Sequence, residues 1–330
     1  MIERIDYKAG LNINWLPLIY GLFNKFFWKG KLILKTIGII GLGNMGMGMA
    51  RNFLLKNFVV RGYDKRPHIQ QALASLGGVA ATSANDAAVG ANAVFLMVMT
   101  ADQVAEIVAD DLLDTMKPGS TLSITATVGA ECVQKLAQKM KGKDIKLIDA
   151  PVSGGKGGAE GGTLTFMASA PKPVLADNED ILMAIGSNLI PVGELPGQGQ
   201  VIKACLQALI GVSFEGLFEA MVLGAQAGVD LNVLSNVINN SFVGSKMTVA
   251  VTGHIVARRF RDTGSHISTM HKDIGISMEL ANKLAVPMPA TEVAQRMFSE
   301  AFAAIPDGDN WCIVEYLERM VKEHKEGNKK

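Results

Sequence analysis

Gly41, Gly43 and Gly46 stand in G-x-G-x-x-G spacing directly after the apolar run 32–40. Glycines so placed after a strand let a tight turn approach a pyrophosphate. The helix that begins there offers free N–H groups and its positive end to the phosphates. Leu42, Asn44 and Met45 complete this turn. Eighteen residues past Gly46, Asp64 closes a second strand-like run, 58–63. A carboxylate at that point accepts hydrogen bonds from the adenosine ribose and repels a 2′-phosphate, which favours NAD. Lys65 and Arg66 beside it leave NADP open, because a guanidinium can pair with that phosphate.

Two further groups have chemistry to offer. Lys203 is an isolated lysine in the first turns of a nearly charge-free apolar stretch. Burying an ammonium is costly unless it is paired or functional, and desolvation lowers its pKa toward the range a general acid/base needs at neutral pH. The bland alternative is a lysine that snorkels to the surface at a helix start. Gln207 lies one turn on, on the same face, where it can hydrogen-bond the same ligand. Cys205 points elsewhere. The second group is Ser153-Gly154-Gly155, at the end of the run Asp149-Ala150-Pro151-Val152. A hydroxyl and several backbone N–H groups in such a turn make a nest for a carboxylate, a role compatible with Ser153 as a helix N-cap. The glycine-rich sequel from Lys156 does not match G-x-x-x-x-G-K-[ST], so nucleoside triphosphates are excluded.

These residues need elements to hold them. From 33 to about 192, short apolar runs alternate with helical stretches. Strands are expected at 33–40, 58–63, 93–98, 120–125, 145–150, 163–168 and 188–192. Such alternation gives a mostly parallel sheet with helices on both faces. After Pro196-Gly197-Gln198-Gly199 the texture changes. A long helix is expected over 200–228, apolar all round and so buried on most sides, followed by helices near 230–240, 267–285, 288–304 and 310–322. The fold class is therefore α/β: an N-terminal Rossmann-type doubly wound sheet, then an all-α C-terminal domain built on a long helix. The expected divisions are an N-terminal extension at 1–32, a dinucleotide-binding domain at 33–195 and a helical substrate and oligomerisation domain at 196–330. An apolar spine of that length implies a homodimer or homotetramer.

The composition excludes other classes. The chain has 330 residues, 48% of them hydrophobic, and a net charge of +1, with no basic stripe to bind nucleic acid. Cys132, Cys205 and Cys312 form neither a disulfide framework nor a zinc spacing, which suits a reducing compartment. The five histidines make no metal motif, so no metal is expected. The apolar stretch 13–28 is short for a membrane span and contains Pro17. It lacks the marks of a signal or transit peptide, so a cytoplasmic location is expected, with a mitochondrial one left open. The polar tail 322–330 reads as a frayed terminus.

Five ordered blocks resemble the β-hydroxyacid dehydrogenase family, which includes 3-hydroxyisobutyrate, L-threonate and tartronate-semialdehyde enzymes and is related to 6-phosphogluconate dehydrogenase. They are Gly41-Leu42-Gly43-Asn44-Met45-Gly46-Met47-Gly48-Met49-Ala50, Asp149 to Gly155, Gly162-Thr163-Leu164-Thr165, Gly197-Gln198-Gly199-Gln200-Val201-Ile202-Lys203, and Lys272-Asp273. The resemblance runs from about Thr36 to Tyr316. It implies NAD-dependent oxidation of the β-hydroxyl of a small hydroxy acid, with Lys203 as acid/base and Ser153, Gly154 and Gly155 on the substrate carboxylate. It also implies that Met97, Val98 and Thr127 lie along the cofactor and that Lys272 reaches its nicotinamide side. Three departures stand out. Leu206 and Gln207 occupy the place of the family's asparagine, Ala126-Thr127 replaces the usual Ser-Thr pair, and Ala130 replaces a proline. Two alternatives stand beside this: an NAD-holding protein without turnover, which Leu206 favours, and a phosphorylated sugar acid as substrate with Lys246, Arg258, Arg259 or Arg261 on its phosphate, unless these form only a solvated basic face at a helix end.

Overall fold

Residues 34–109 and 111–327 are described by the computed structural model. The extension expected at 1–32, with its apolar stretch 13–28, lies outside them. Contacts divide the chain into Met1–Lys35 and Thr36–Lys330, and every element of the described fold belongs to the second unit.

Strand and helix alternate as β1 (Thr36–Ile40), α1 (Asn44–Leu55), β2 (Val59–Tyr63), α2 (Pro67–Ser75), β3 (Val79–Ala80), α3 (Ala84–Ala88), β4 (Ala93–Leu96), α4 (Ala101–Ala109), α5 (Leu112–Thr115), β5 (Ser120–Ile124), α6 (Ala130–Lys139) and β6 (Ile145–Asp149). Then come β7 (Val152–Ser153), α7 (Gly155–Gly161), β8 (Leu164–Ser169), α8 (Lys172–Asp177), α9 (Glu179–Met183) and β9 (Gly186–Gly193). The sheet order is β3-β2-β1-β4-β5-β6-β8-β7, with β9 paired parallel to β8 along its length. From β3 to β6 all pairs are parallel; β8 runs antiparallel to β6 and β7. The strand order reverses between β1 and β4, and the crevice beyond that point is where open α/β sheets bind ligands.

Side-chain alternation explains why helices cover both faces. Ile37, Ile39 and Phe95 point into one core, while Ile40, Val94, Leu96, Leu122 and Ile124 point into the other. Each central strand thus buries two faces and reads as a continuous apolar run. The two-residue strands β3 and β7 are not expected from the sequence. They are too short to carry a period-2 pattern.

The helical part consists of α10 (Gln198–Gln226), α11 (Leu231–Asn239), α12 (Lys246–Val256), α13 (Ile267–Lys283), α14 (Pro289–Ala304) and α15 (Cys312–Gly327). Phe214, Leu217, Phe218 and Met221 of α10 build a third core with α12 to α15. The structure corrects three expectations here. First, α10 is covered on one broad side only: Ile202, Leu209 and Leu223 are exposed. Its neighbours pack against the face that carries Gly211, where Ile274 comes so close that a Cβ would stand 2.8 Å from its Cδ1. Second, α12 is absent from the expected helices, because its β-branched residues hide a helix that is started by a capping box between Ser245 and Thr248. Third, α15 continues to Gly327 through residues expected to form a frayed tail. By length and composition α10 could cross a bilayer, but Lys203, Gln207 and Glu215 are buried within the protein.

Candidate active site

The glycine turn closes at the end of β1. Gly41 has φ +93°, and a Cβ there would strike the Met97 carbonyl and lie 3.3 Å from Val98 Cγ1. A Cβ on Gly46 would strike the Gly41 carbonyl, so α1 can approach β1 only with glycine at both positions. This brings Gly41, Met97 and Val98 together at the reversal of strand order. Gly43 is the N-cap of α1, without a side-chain cap and with no acidic residue in the first turn. The N–H groups of that turn, with Asn44 exposed and Met45 partly buried, are therefore free for an anion. Above Gly43 there is room: the nearest atom to a Cβ there is Arg66 Nη2, at 3.9 Å. The turn fits a dinucleotide pyrophosphate.

Asp64, at the tip of β2, is 8% exposed. Its Oδ2 accepts from the Leu42 N–H and Arg66 Nη2, both at 2.9 Å. Its Oδ1 accepts from the Arg66 N–H at 3.0 Å and Nε at 2.8 Å. Burial pushes this carboxyl upward, but the bonds from Arg66 and Leu42 together outweigh it and hold it below the usual range. The acid expected on the ribose is thus bound to a guanidinium that is itself half exposed.

Lys203 lies on α10 at 7% exposure, so it does not snorkel. Burial is the strongest influence on its ammonium and lowers the pKa. The Asp273 carboxylate opposes this, and Lys272 adds to it. Gln207, one turn on, donates from Nε2 to Asp273 Oδ2 at 2.6 Å. Lys272 meets Asp273 Oδ1 at 2.7 Å and donates to the Thr127 carbonyl at 2.6 Å. Gln207 and Lys272 thereby meet on one buried carboxylate, which also acts electrostatically on Lys203, and Lys272 links it to the Thr127 carbonyl.

The Ser153 turn is open. Ser153 is half-buried, Gly154 and Gly155 are exposed with φ +131° and +57°, and a Cβ on Gly155 would meet nothing within 4 Å. The helix after it, α7, lies in backbone contact with α1. A Cβ on Gly48 would come within 2.7 Å of the Ala159 carbonyl carbon, and Asn52 Nδ2 donates to the Ala159 carbonyl at 2.8 Å. The two glycine turns therefore share one packed layer. The Ser153 turn is tied to α10 through Asp149, four residues before it.

Two family models cover this architecture. One describes the NAD binding domain of 6-phosphogluconate dehydrogenase and matches residues 36–193. The other describes the NAD-binding of NADP-dependent 3-hydroxyisobutyrate dehydrogenase and matches residues 197–317. The L-threonate dehydrogenase of Cupriavidus necator is 32% identical over 278 residues, 84% of this chain and 93% of that protein. The 3-hydroxyisobutyrate dehydrogenase of Pseudomonas aeruginosa is 33% identical over 274 residues, 81% of this chain and 92% of that one. A crystal structure of 3-hydroxyisobutyrate dehydrogenase from Salmonella typhimurium superposes with a TM-score of 0.79 at 31% identity, covering 86% of this chain and 99% of that one. The chain belongs to the β-hydroxyacid dehydrogenase family. It is an oxidoreductase that binds NAD, with NADP compatible.

For this dehydrogenase the sequence pattern leaves some site residues without a role. Asp273 is visible there only as the second half of Lys272-Asp273, yet it is 3% exposed and faces the Lys203 group. Asp149 and Gln200 likewise stand inside family blocks with no task of their own. At the departure from the family pattern, Leu206 is partly buried, while Gln207 turns its amide nitrogen to Asp273 and keeps its carbonyl oxygen as an acceptor. Of the cations considered for a substrate phosphate, Arg258 is paired with Glu318, and Arg261 with Asp307 and Glu315.

Proposed function

We propose that this dehydrogenase oxidises the β-hydroxyl of a small hydroxy acid of the 3-hydroxyisobutyrate or L-threonate kind, with NAD preferred and Lys203 as general acid/base. The observation that carries the reading is the burial of Lys203 beside Asp273, which lowers its pKa while leaving one counter-charge in reach. A lysine whose pKa is lowered gives up its own proton more readily, and in its neutral form it can take the hydroxyl proton and return it in the reverse direction. Ser153 and the N–H groups of Gly154 and Gly155 hold the substrate carboxylate. Gln207 offers its carbonyl oxygen to a substrate hydroxyl. The nicotinamide, when bound, supplies the hydride-accepting carbon. The glycine turn, Met97, Val98, Thr127 and Lys272 hold the cofactor on the strand-end side of the crevice. The ion pairs of Arg258 and Arg261 engage two of the four cations that a phosphorylated sugar acid would call on, which weakens that alternative.

The subunits assemble as a homodimer or homotetramer in this reading, with the exposed apolar side of α10 and the exposed Phe242 covered by another copy. Sedimentation would show a monomer if that is wrong.

The deciding experiment is Lys203→Met, assayed for NADH formation over hydroxy acids that include L-threonate and 3-hydroxyisobutyrate, beside calorimetric titration with NAD. Turnover is expected to vanish with NAD affinity nearly unchanged. Equal loss of both would mean a structural lysine. NAD binding by the wild type without NADH from any acid would mean a protein that holds NAD without turnover.

A further inference from the structure

Asp149 ends β6 with its side chain fully buried. Its Oδ2 accepts from the N–H groups of Gly197 at 3.0 Å and Gln200 at 3.3 Å, and its Oδ1 accepts from Gln200 Nε2 at 3.0 Å. It thus caps α10 from another element, where the N-cap residue, Gly197, has no side chain and the first turn no acid. The helix start is pressed against the strand ends. A Cβ on Gly199 would stand 2.6 Å from the Met167 carbonyl oxygen and 2.8 Å from that of Asp149, so α10 cannot slide without breaking this contact.

Gln200 carries the connection onward. It is 1% exposed. Its Oε1 accepts from the N–H groups of Val128 at 2.9 Å and Gly129 at 3.1 Å. Its Nε2 donates to the Ala126 carbonyl at 3.1 Å as well as to Asp149. Both protons and both lone pairs of the amide are used, the most such a side chain can do, so its orientation is fixed. The loop it grips contains Thr127, whose carbonyl receives Lys272. Three residues further along α10, less than one helical turn, is Lys203.

We infer that Gln200, oriented by Asp149, is a positioning residue: it sets the distance between the Lys203 ammonium and the 126–129 loop, and touches neither substrate nor cofactor. This rests on the reading of Lys203 as the proton-transfer group. The physical reason is leverage. The helical core already holds the middle and end of α10, so the amide clamp acts with the Gly199 backbone contact to fix the first turns relative to the sheet, and it alone ties them to the 126–129 loop by side-chain hydrogen bonds. A displacement of about 1 Å at a reacting group can cost on the order of a hundredfold in rate.

The test uses the full chain and four variants. Gln200→Glu keeps the acceptor for Val128 and Gly129 but sets a carboxylate oxygen against both Asp149 and the Ala126 carbonyl. Asp149→Asn combined with Gln200→Glu restores the bond to residue 149 with its direction reversed, while the bond to the Ala126 carbonyl stays lost. Asp149→Asn alone and Lys203→Met complete the set. The readouts are kcat, KM for L-threonate or 3-hydroxyisobutyrate, the pH profile of kcat, NAD affinity by calorimetry and the melting temperature. In Gln200→Glu, kcat should fall by on the order of a hundredfold, with NAD affinity little changed and the acid limb of the profile displaced. The double variant should recover about a tenth or more of the wild-type kcat. If Gln200→Glu does not fold, Asp149→Asn alone must show the same fall in kcat with NAD affinity retained. A folded variant with unchanged kcat, or a loss that follows NAD affinity or the folded fraction, overturns the inference. So does a double variant without recovery. If Lys203→Met retains turnover, it is the reading of Lys203 that fails. If Lys203→Met is dead and Gln200→Glu is not impaired, only the positioning role fails.

Discussion

The Lys272 ammonium donates to the Thr127 carbonyl at 2.6 Å, joining α13 to the loop after β5 across 145 residues of chain. The same nitrogen lies 2.7 Å from Asp273 Oδ1, so this lysine is held by the sheet side and the helical side at once. Its position beside Asp273 also makes the two residues opposing influences on Lys203. The carboxylate favours the charged amine, and the ammonium disfavours it.

The pH profile should shift in opposite directions when these two charges are removed. In the direction of oxidation Lys203 must start neutral, so activity should rise with pH through its pKa. Asp273→Asn removes the charge that raises that pKa, and the acid limb of kcat should move to lower pH. Lys272→Met removes the charge that lowers it, and the limb should move to higher pH. Profiles of kcat at saturating NAD would decide. A shift of the same sign in both variants would mean that the limb belongs to another group.

Cofactor choice should turn on Arg66. Its guanidinium is half exposed, lies over Gly43 and grips both oxygens of Asp64. Arg66→Ala leaves the Asp64 carboxylate facing a 2′-phosphate without a cation. The kcat/KM with NADP should fall by about tenfold or more, roughly 1.4 kcal/mol, while that with NAD changes less. Parallel kinetics with the two cofactors measure this. An unchanged ratio would show that Arg66 does not discriminate between the two cofactors.

Most of the scaffold is legible in the sequence because its signals are local. The glycine turn, Asp64 eighteen residues on and the alternating runs of β1, β4 and β5 each need only a few neighbours to be read. So does the start of α10, expected within two residues of Gln198. What escapes is non-local. Gln207 and Asp273 are 66 residues apart, and Asp149 and the Gln200 amide 51 apart. Helical periodicity reports which side chains share a face, not which face meets which. The expected burial of α10 is too high for the same reason. Apolar residues all round say that a helix prefers cover, but only its neighbours decide where the cover lies.

Glu215 should make the protein less stable as pH rises. It sits on the buried side of α10 at 6% exposure, and neither carboxyl oxygen has a hydrogen-bond partner. Burial pushes its pKa up to about 7, and the Glu219 carboxylate one turn away adds to this. The folded-state value lies above the unfolded value of 4.5. The contribution of Glu215 to stability is therefore fully present below pH 4.5, and it is lost as pH rises through about 7. Ionising this group in place costs up to about 3 kcal/mol. A glutamine fills the same space and cannot ionise. Glu215→Gln should match the wild type near pH 4.5 and melt several degrees higher at pH 8.5, since about 1 kcal/mol moves the melting temperature of a chain of this size by a few degrees. Melting curves of the two proteins between those limits measure the difference. A constant gap across the range would show that Glu215 is not the group that titrates.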